Sequence, residues 1–171
     1  MKILTELSEK SLGINPEQKI VGESFKLRKS ARAIVINQNG LMAVQHIQKY
    51  NYHKLPGGTM EEGEKIEETL RREIREEIGC EIDSIKPVGT VIEYQNELIQ
   101  ISYCFSANMA SKISEPNFDE AEIENDQRTI WLNPTDCLDT FKHDLTTKRE
   151  GDFIITREIA FLSEFLSLQN S

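Results

Sequence analysis

Cysteine is scarce in this chain. Only Cys80, Cys104 and Cys137 occur in 171 residues, far apart and odd in number, with no CxxC pair. That excludes a paired-cysteine zinc knuckle and provides no disulfide framework. Reduced thiols and a cytoplasmic location are expected. Long apolar runs are missing too. No window approaches eighteen apolar residues, so no membrane-spanning helix is expected. The opening MKILTELSEKSLG has no apolar stretch of signal-peptide length. Internal repeats and low-complexity segments are absent. Basic residues are in deficit, with 20 Lys and Arg against 29 Asp and Glu, a formal charge of −9. An acidic surface repels phosphate backbones, which argues against a nucleic-acid polymer as partner.

What is present is unevenly placed. Residues 61–82 hold nine Glu against four basic residues, a net of −5. Residues 115–126 hold six carboxylates and no Lys or Arg, a net of −6. The rest of the chain is close to neutral, so the acidity is two patches. Dense carboxylates suit a divalent cation, which reverses the sign of a site.

The length fits one domain with a single core. Residues 1–29 read as an N-terminal extension or arm, with an apolar stretch at 20–27. Residues 30–171 read as one domain. ARAIVIN (31–37) and LMAVQHI (41–47) flank Asn39-Gly40, a hairpin signal because both residues tolerate the positive φ of a type I′ turn. Residues 48–63 read as loop. Residues 65–78 read as a helix stopped by Gly79. Strands are expected over 88–94, 98–107 and 128–132, and a polar acidic loop over 108–127. A short helical turn follows Asn133-Pro134, and a final helix spans 152–168. On that helix Ile155, Ile159, Leu162 and Leu166 form the apolar side, with Arg157 and Glu158 facing solvent. Strands on both sides of an internal helix predict an α+β domain with helices packed on a mixed sheet.

The acidic helix carries the chemistry. With Ile66 at zero and 100° per residue, Leu70, Ile74 and Ile78 fall at about 40°, 80° and 120°, a stripe facing the core. Arg71, Arg75, Glu68 and Arg72 fall between about 140° and 240°, the expected solvent face. Glu77 falls at about 20° and Glu73 at about 340°, inside and beside the apolar stripe. A surface lined with i,i+4 ion pairs accounts for Glu68–Arg72 and Arg72–Glu76. It does not account for two carboxylates directed inward. Shielded from water together, they repel and shift upward in pKa unless a cation joins them. Arg72 is placed on the far side, so a divalent metal is the economical partner. The preceding Leu55-Pro56-Gly57-Gly58 permits close backbone approach to a ligand, although Pro-Gly-Gly alone also describes a plain turn.

Together these residues resemble the Nudix hydrolase signature GX5EX7REUXEEXGU, U being a bulky aliphatic residue. Gly58 is followed by five residues, Glu64, seven more, and then Arg72-Glu73-Ile74-Arg75-Glu76-Glu77-Ile78-Gly79-Cys80. Cys80 departs from the last aliphatic position, but cysteine behaves as a small buried hydrophobe. The resemblance implies an α/β/α sandwich with a mixed β-sheet between helices. It also implies a Mg2+- or Mn2+-dependent hydrolase of nucleoside diphosphates linked to another moiety.

Position by position, the resemblance makes Glu76 and Glu77 principal metal ligands and Glu73 a ligand or the water-activating base. Glu64 supports the metal shell, Arg72 orients the carboxylates, and the Gly57 carbonyl is a further ligand. Such proteins often add a Glu from a later loop. Glu120, Glu122 and Glu124 are the candidates here, with Glu122 preferred, and a plain solvated surface is the competing reading of that patch.

Gly58, Arg32 and His53 are substrate-binding candidates. Tyr50 and Tyr52 could stack on a base, although ordinary packing explains them, and Trp131 reads as core. No SQPWPFPxS-like segment of NADH pyrophosphatases occurs, and Tyr94 is only a weak sign of a dinucleoside-polyphosphate hydrolase. The basic stretch of a decapping enzyme is missing. Damaged nucleotides, ADP-ribose or nucleotide sugars, and small polyphosphates remain, with a lean to nucleoside triphosphates. A non-catalytic nucleotide-binding regulator of the same fold is the alternative. Such domains tend to lose signature glutamates, and all four are present. A homodimer exchanging residues 1–29 is plausible by analogy.

Overall fold

Alternation along the strands decides what each layer buries. A computed structural model describes residues 1–18, 25–148 and 150–169. On strand β2 (Lys26–Ile36), Ala31, Ala33 and Val35 pack to one side and Ile34 to the other. Both faces are apolar because helices cover both. Helix α1 (Ile66–Ile78) lies on the first side, where Leu70, Ile74 and Ile78 join those residues. Helices α3 (Pro134–His143) and α4 (Gly151–Gln169) lie on the second, with Phe141, Phe153, Phe161, Leu162 and Phe165. The result is the three-layer α+β sandwich expected, with a mixed sheet between helices.

The other strands are β1 (Ile3–Ser8), β3 (Met42–Ile47), β4 (Tyr52–Lys54), β5 (Cys80–Gln95), β6 (Leu98–Lys112) and β7 (Gln127–Leu132). Their order is β1-β5-β6-β2-β3-β4, and β7 pairs with β3. β1 runs parallel to β5, and β2 runs parallel to β6 in register from Lys26↔Leu98 to Ile36↔Asn108. Part of the segment expected as an arm is therefore a strand of this sheet. Of the apolar stretch at 20–27, residues 20–24 lie outside the described residues. No helix among the described residues is long and apolar enough to cross a membrane.

Several local expectations change. The Asn39-Gly40 connection is not a two-residue I′ turn. Gly40 takes φ +76° while Asn39 does not take a positive φ, and the two strands pair only at Ile36↔Met42. The Asn37 carboxamide oxygen instead accepts from the Asn39 and Leu41 N–H groups at 2.9 and 3.1 Å. That local cap competes with the ladder. The segment 48–63 contains β4, and the loop expected over 108–127 is shortened by β6 and by a short helix α2 (Glu120–Glu124). Trp131 is half-buried against the α1-side core.

The largest correction concerns α4. Arg157 and Glu158 do not face solvent: they are 2% and 0% exposed. Arg157 sits four residues after Phe153 and four before Phe161, on the stripe that meets the sheet, and Glu158 precedes Leu162 by four. The apolar positions alone suggested a different stripe. Burial is possible because the charges answer one another. Arg157 Nη1 donates to Glu93 Oε1 at 2.7 Å, and its Nε and Nη2 donate to Glu158 Oε1 at 3.0 and 2.6 Å. Burial opposes the charge on Arg157, but Glu158 and Glu93 outweigh it and hold the guanidinium protonated. Removing the cation strands two carboxylates in the core. Arg157→Ala is expected to lower unfolding stability by about 3–5 kcal/mol, read as a fall in the urea midpoint.

Candidate active site

The glycine loop is held against β2 as though it were a strand. Ala31 N–H donates to the Gly58 carbonyl at 3.0 Å, and Ala33 N–H donates to the Pro56 carbonyl at 2.9 Å. This docking is why the loop needs two glycines. Gly57 has φ +127°, and a Cβ there would collide with the Ala31 carbonyl. A Cβ on Gly58 would occupy the space of the Glu73 carboxylate. The loop's polar groups are taken from two sides. Arg32 Nη1 donates to the Gly57 carbonyl, and Gly57 N–H donates to Glu77 Oε2 at 2.5 Å.

Helix α1 turns its carboxylates toward that loop. Glu77 is fully buried, and its Oε1 also accepts from Gln127 Nε2 at 2.7 Å and Lys54 Nζ at 3.2 Å. Glu73 lies one turn earlier and is 8% exposed. Burial, and then the charge of Glu77, raise its pKa above the ordinary glutamate value. Arg72 corrects the helical-wheel expectation. Its Cα is on the outer side, but its long side chain curls back over the helix. Nε donates to Glu64 at 2.8 Å, and Nη1 donates to Glu73 and Glu76 at 2.8 and 3.1 Å. The Arg72 hydrogen bonds hold the Glu64 carboxyl down to about 2.

Across the opening, α2 presents Glu122. Asp119 N–H donates to its Oε2 at 2.9 Å, and Gln127 Nε2 donates to its Oε1 at 3.3 Å. Burial is the main reason its carboxyl is pushed up to about 7, and nearby Glu77 adds to it. Glu73, Glu76 and Glu122 border a single cavity of about 610 Å³, with Arg32, Lys54 and Arg72.

The donor set is hard oxygen, which suits a divalent cation such as Mg2+ or Mn2+. As the side chains stand, no three carboxylates or histidines among the described residues converge into a cage. Arg72, Lys54, Gln127 and Gly57 N–H claim their oxygens. Burial is the main reason the carboxyls of Glu73 and Glu122 are raised, and the charge of Glu77 adds to both, a repulsion that a cation would relieve.

A NUDIX domain family model matches residues 26–154. The chain belongs to the Nudix hydrolase family. It is 39% identical over 94 residues to the nucleoside triphosphatase NudI of Enterobacter sp. (strain 638), covering 46% of this chain and 67% of the relative. It is 37% identical over 99 residues to NudI of Escherichia coli O139:H28, covering 49% of this chain and 63% of that enzyme. The chain thus spans about two thirds of the length of these relatives. In fold it is similar to a NUDIX hydrolase from Nitrosomonas europaea, with a TM-score of 0.60 at 16% identity over 83% of this chain and 90% of the other.

Within the Nudix box the geometry sorts the candidates. Gly57, Gly58, Arg32, Arg72, Glu73, Glu76 and Glu122 border the cavity. Glu77 lies beneath it. Glu64 stands behind Arg72, and Thr69 Oγ1 donates to it at 2.8 Å. His53 borders neither this cavity nor its neighbour. Its Nδ1 is paired with Asp144 Oδ1 at 2.8 Å, and its ring stacks on His46. Glu124 pairs with Lys49 at 2.8 Å on the outside.

A second group of residues, Arg32 apart, was not singled out as a site by the sequence reading. Arg28 and Arg32 of β2, Gln100 of β6, Glu93 of β5 and Arg157 of α4 line a cavity of about 300 Å³ on the α4 side of the sheet. The signal was available. Arg28, Ser30 and Arg32 alternate with Lys29, Ala31 and Ala33, and a polar row on an inner strand face of a helix-covered sheet has no packing reason to exist.

The raised Glu122 carboxyl has a consequence for stability. A glutamate whose pKa is higher in the fold than in the unfolded chain stabilises below the unfolded value of 4.5, and that contribution is lost as pH rises through about 7. In the presence of a chelator, Glu122→Gln is therefore expected to raise Tm at pH 8 by about 2–4 °C. The gain should vanish at pH 5, and differential scanning calorimetry at both pH values checks it.

Proposed function

We propose that the chain is a metal-dependent hydrolase that cleaves the pyrophosphate linkage of a nucleoside diphosphate derivative, with nucleoside triphosphates the favoured class. The observation that carries this reading is the single cavity bordered by Glu73, Glu76 and Glu122 on one side and by Arg32 and Lys54 on the other. The names of the NudI relatives support the triphosphate preference. Glu73, Glu76 and Glu77 would hold Mg2+ or Mn2+, with Glu64 and the Gly57 carbonyl in support. When bound, such a cation supplies charge neutralisation on the phosphates and Lewis acidity toward the attacking water.

The chain's own residues do the rest. Arg72 ties Glu64, Glu73 and Glu76 into one array, so three carboxylates keep their spacing without spreading apart. The glycine loop brings backbone to the cavity wall where a side chain would block it. Arg32 and Lys54 offer fixed positive charge to phosphate oxygens, and such preorganisation is most of what phosphoryl transfer requires. The barrier comes from the substrate's own negative charge repelling the nucleophile. Glu122, with its carboxyl near 7, is suited to take the proton of the attacking water at neutral pH. The P–O bond of the pyrophosphate bridge breaks, giving a nucleoside monophosphate and the phosphorylated remainder.

The test is a panel of nucleoside triphosphates and nucleoside diphosphate derivatives with millimolar Mg2+, read as phosphate or pyrophosphate release alongside thermal shift. Turnover should vanish with a chelator. Glu77→Gln should lose more than nine tenths of kcat while remaining folded by circular dichroism. Thermal stabilisation by nucleotide without turnover would overturn catalysis in favour of a binding module.

A further inference from the structure

The cavity behind the carboxylate site differs from it in sign. Its walls come from β2, β4, β5 and β6, closed over by the start of α4 and the segment before it. The two cavities share Arg32, Lys54 and Thr59, so a molecule filling one can reach the other. The charges on the shared side of the sheet are not equally available. Glu93 has no exposed surface, and its carboxylate is consumed by Arg157 at 2.7 Å and Gln95 Nε2 at 2.5 Å. Arg157 is consumed in turn by Glu93 and Glu158. Subtracting that closed set, and Lys54, whose Nζ is paired with Glu77 at 3.2 Å, leaves Arg28, Arg32 and Lys148 as the cations facing the space, with exposed Glu150 at its edge.

These cations are placed ahead of any ligand. Gln100 Nε2 donates to Ser102 Oγ at 3.0 Å, which turns its Oε1 to accept Arg28 Nε at 2.7 Å. Ser102 Oγ in turn meets Ser30 Oγ at 3.0 Å. Arg32 is less well served. Its Nη1 is taken by the Gly57 carbonyl, but its Nε is buried with no hydrogen-bond partner among the described residues. A buried guanidinium N–H without an acceptor is costly and rare, so Arg32 stands at the cavity wall with its hydrogen-bonding capacity incompletely used. A nucleobase fits these groups poorly. Its N–H edge needs an acceptor, and the Glu93 carboxylate is already spent. Tyr52 is the one aromatic residue on the described walls, and it is buried. What the space offers is donors and positive charge.

Resting on the reading that the pyrophosphate is cleaved at the carboxylate site, we propose that this second cavity is the subsite for a further anionic group of the substrate. Arg28, Arg32 and Lys148 would grip a phosphate or carboxylate lying beyond the scissile linkage. The enzyme would then select nucleoside diphosphate derivatives by the charge of the attached moiety.

Two matched pairs read the two sources of negative charge. A nucleoside diphosphate-glucuronate against the corresponding glucose compound reads a carboxylate. A nucleoside triphosphate against its diphosphate reads a phosphate. With Mg2+ present, one pair is expected to show at least a tenfold kcat/KM preference for the more anionic member, and the pair that does so identifies the group. Arg28→Gln and Lys148→Gln should each cut that ratio at least threefold, and Arg28→Lys should restore most of it. Ratios within twofold of one in the wild type, or ratios untouched by both variants, overturn the subsite even if the enzyme hydrolyses nucleotides well.

A second measurement needs no turnover. In the presence of a chelator, inorganic phosphate is titrated calorimetrically into the wild type. Saturable binding should weaken with added NaCl. It should also weaken at least fivefold in Arg28→Gln and survive in Glu76→Gln. No binding, or binding indifferent to Arg28 and Lys148, overturns the proposal. Phosphate binding that obeys these variants in a protein that hydrolyses nothing would sustain the anion site and sink the hydrolase reading instead.

Discussion

A carboxylate removed from water must be answered on every side, and Glu77 is where this structure meets that demand. Its two oxygens accept from Gly57 N–H, Lys54 Nζ and Gln127 Nε2. Its backbone carbonyl accepts from Thr129 Oγ1 at 2.7 Å. Those partners belong to the glycine loop, β4 and β7, while Glu77 itself belongs to α1. One side chain therefore fixes the relative position of four segments. Each partner lost would leave buried charge less compensated, so the segments cannot drift independently. The position of Glu73 one turn away, and hence of the cavity wall, follows from that lock.

The formal charge of −9 conceals how finely the acidity is divided. In the 61–82 patch, Arg72 engages Glu64, Glu73 and Glu76, while Arg71 and Arg75 pair outward with Glu67 and Glu81. The outer pairs sit in water and add little. The Arg72 array is partly buried and works differently. It holds Glu64 ionised at about 2, yet it does not overcome the burial of Glu73. The 115–126 patch divides in the same way, with Glu124 paired outside and Glu122 turned in. Among the described residues of the two patches, Glu73, Glu76 and Glu122 are brought together at the cavity.

How much of this was legible in the chain depended on whether the residues are close in sequence. The α1 stripe, the inward Glu73 and Glu77 and the Gly79 stop are set by helical period and backbone chemistry within a short segment, and spacing reveals them. Arg72 was misplaced because a wheel locates Cβ and not the end of a long flexible side chain. Arg157 and Glu158 were misplaced for a different reason. Their burial requires Glu93, 64 residues earlier in the chain, and no local pattern on α4 announces that partner. The second cavity is assembled from four strands and a helix, so it exists only once β2 is known to lie parallel to β6 with Arg28 facing Gln100.

Arg32 joins the two halves of this picture. Strand alternation puts it on the α4 side of the sheet, away from Ala31 and Ala33, yet its guanidinium reaches the Gly57 carbonyl at the rim of the carboxylate cavity. With Lys54 and Thr59, it forms the wall shared by an acidic compartment and a basic one. A polyphosphate poses a sign problem for an acidic protein, because the groups that gather a cation also repel the substrate. Separating the charges between the two cavities would resolve it for the proposed substrate. On the proposed reading, carboxylates would face the scissile linkage, where a cation could intervene, and guanidinium groups would face the space beyond it. Repulsion would then be confined to the one place where a cation could neutralise it, and attraction would act on the remainder of the substrate.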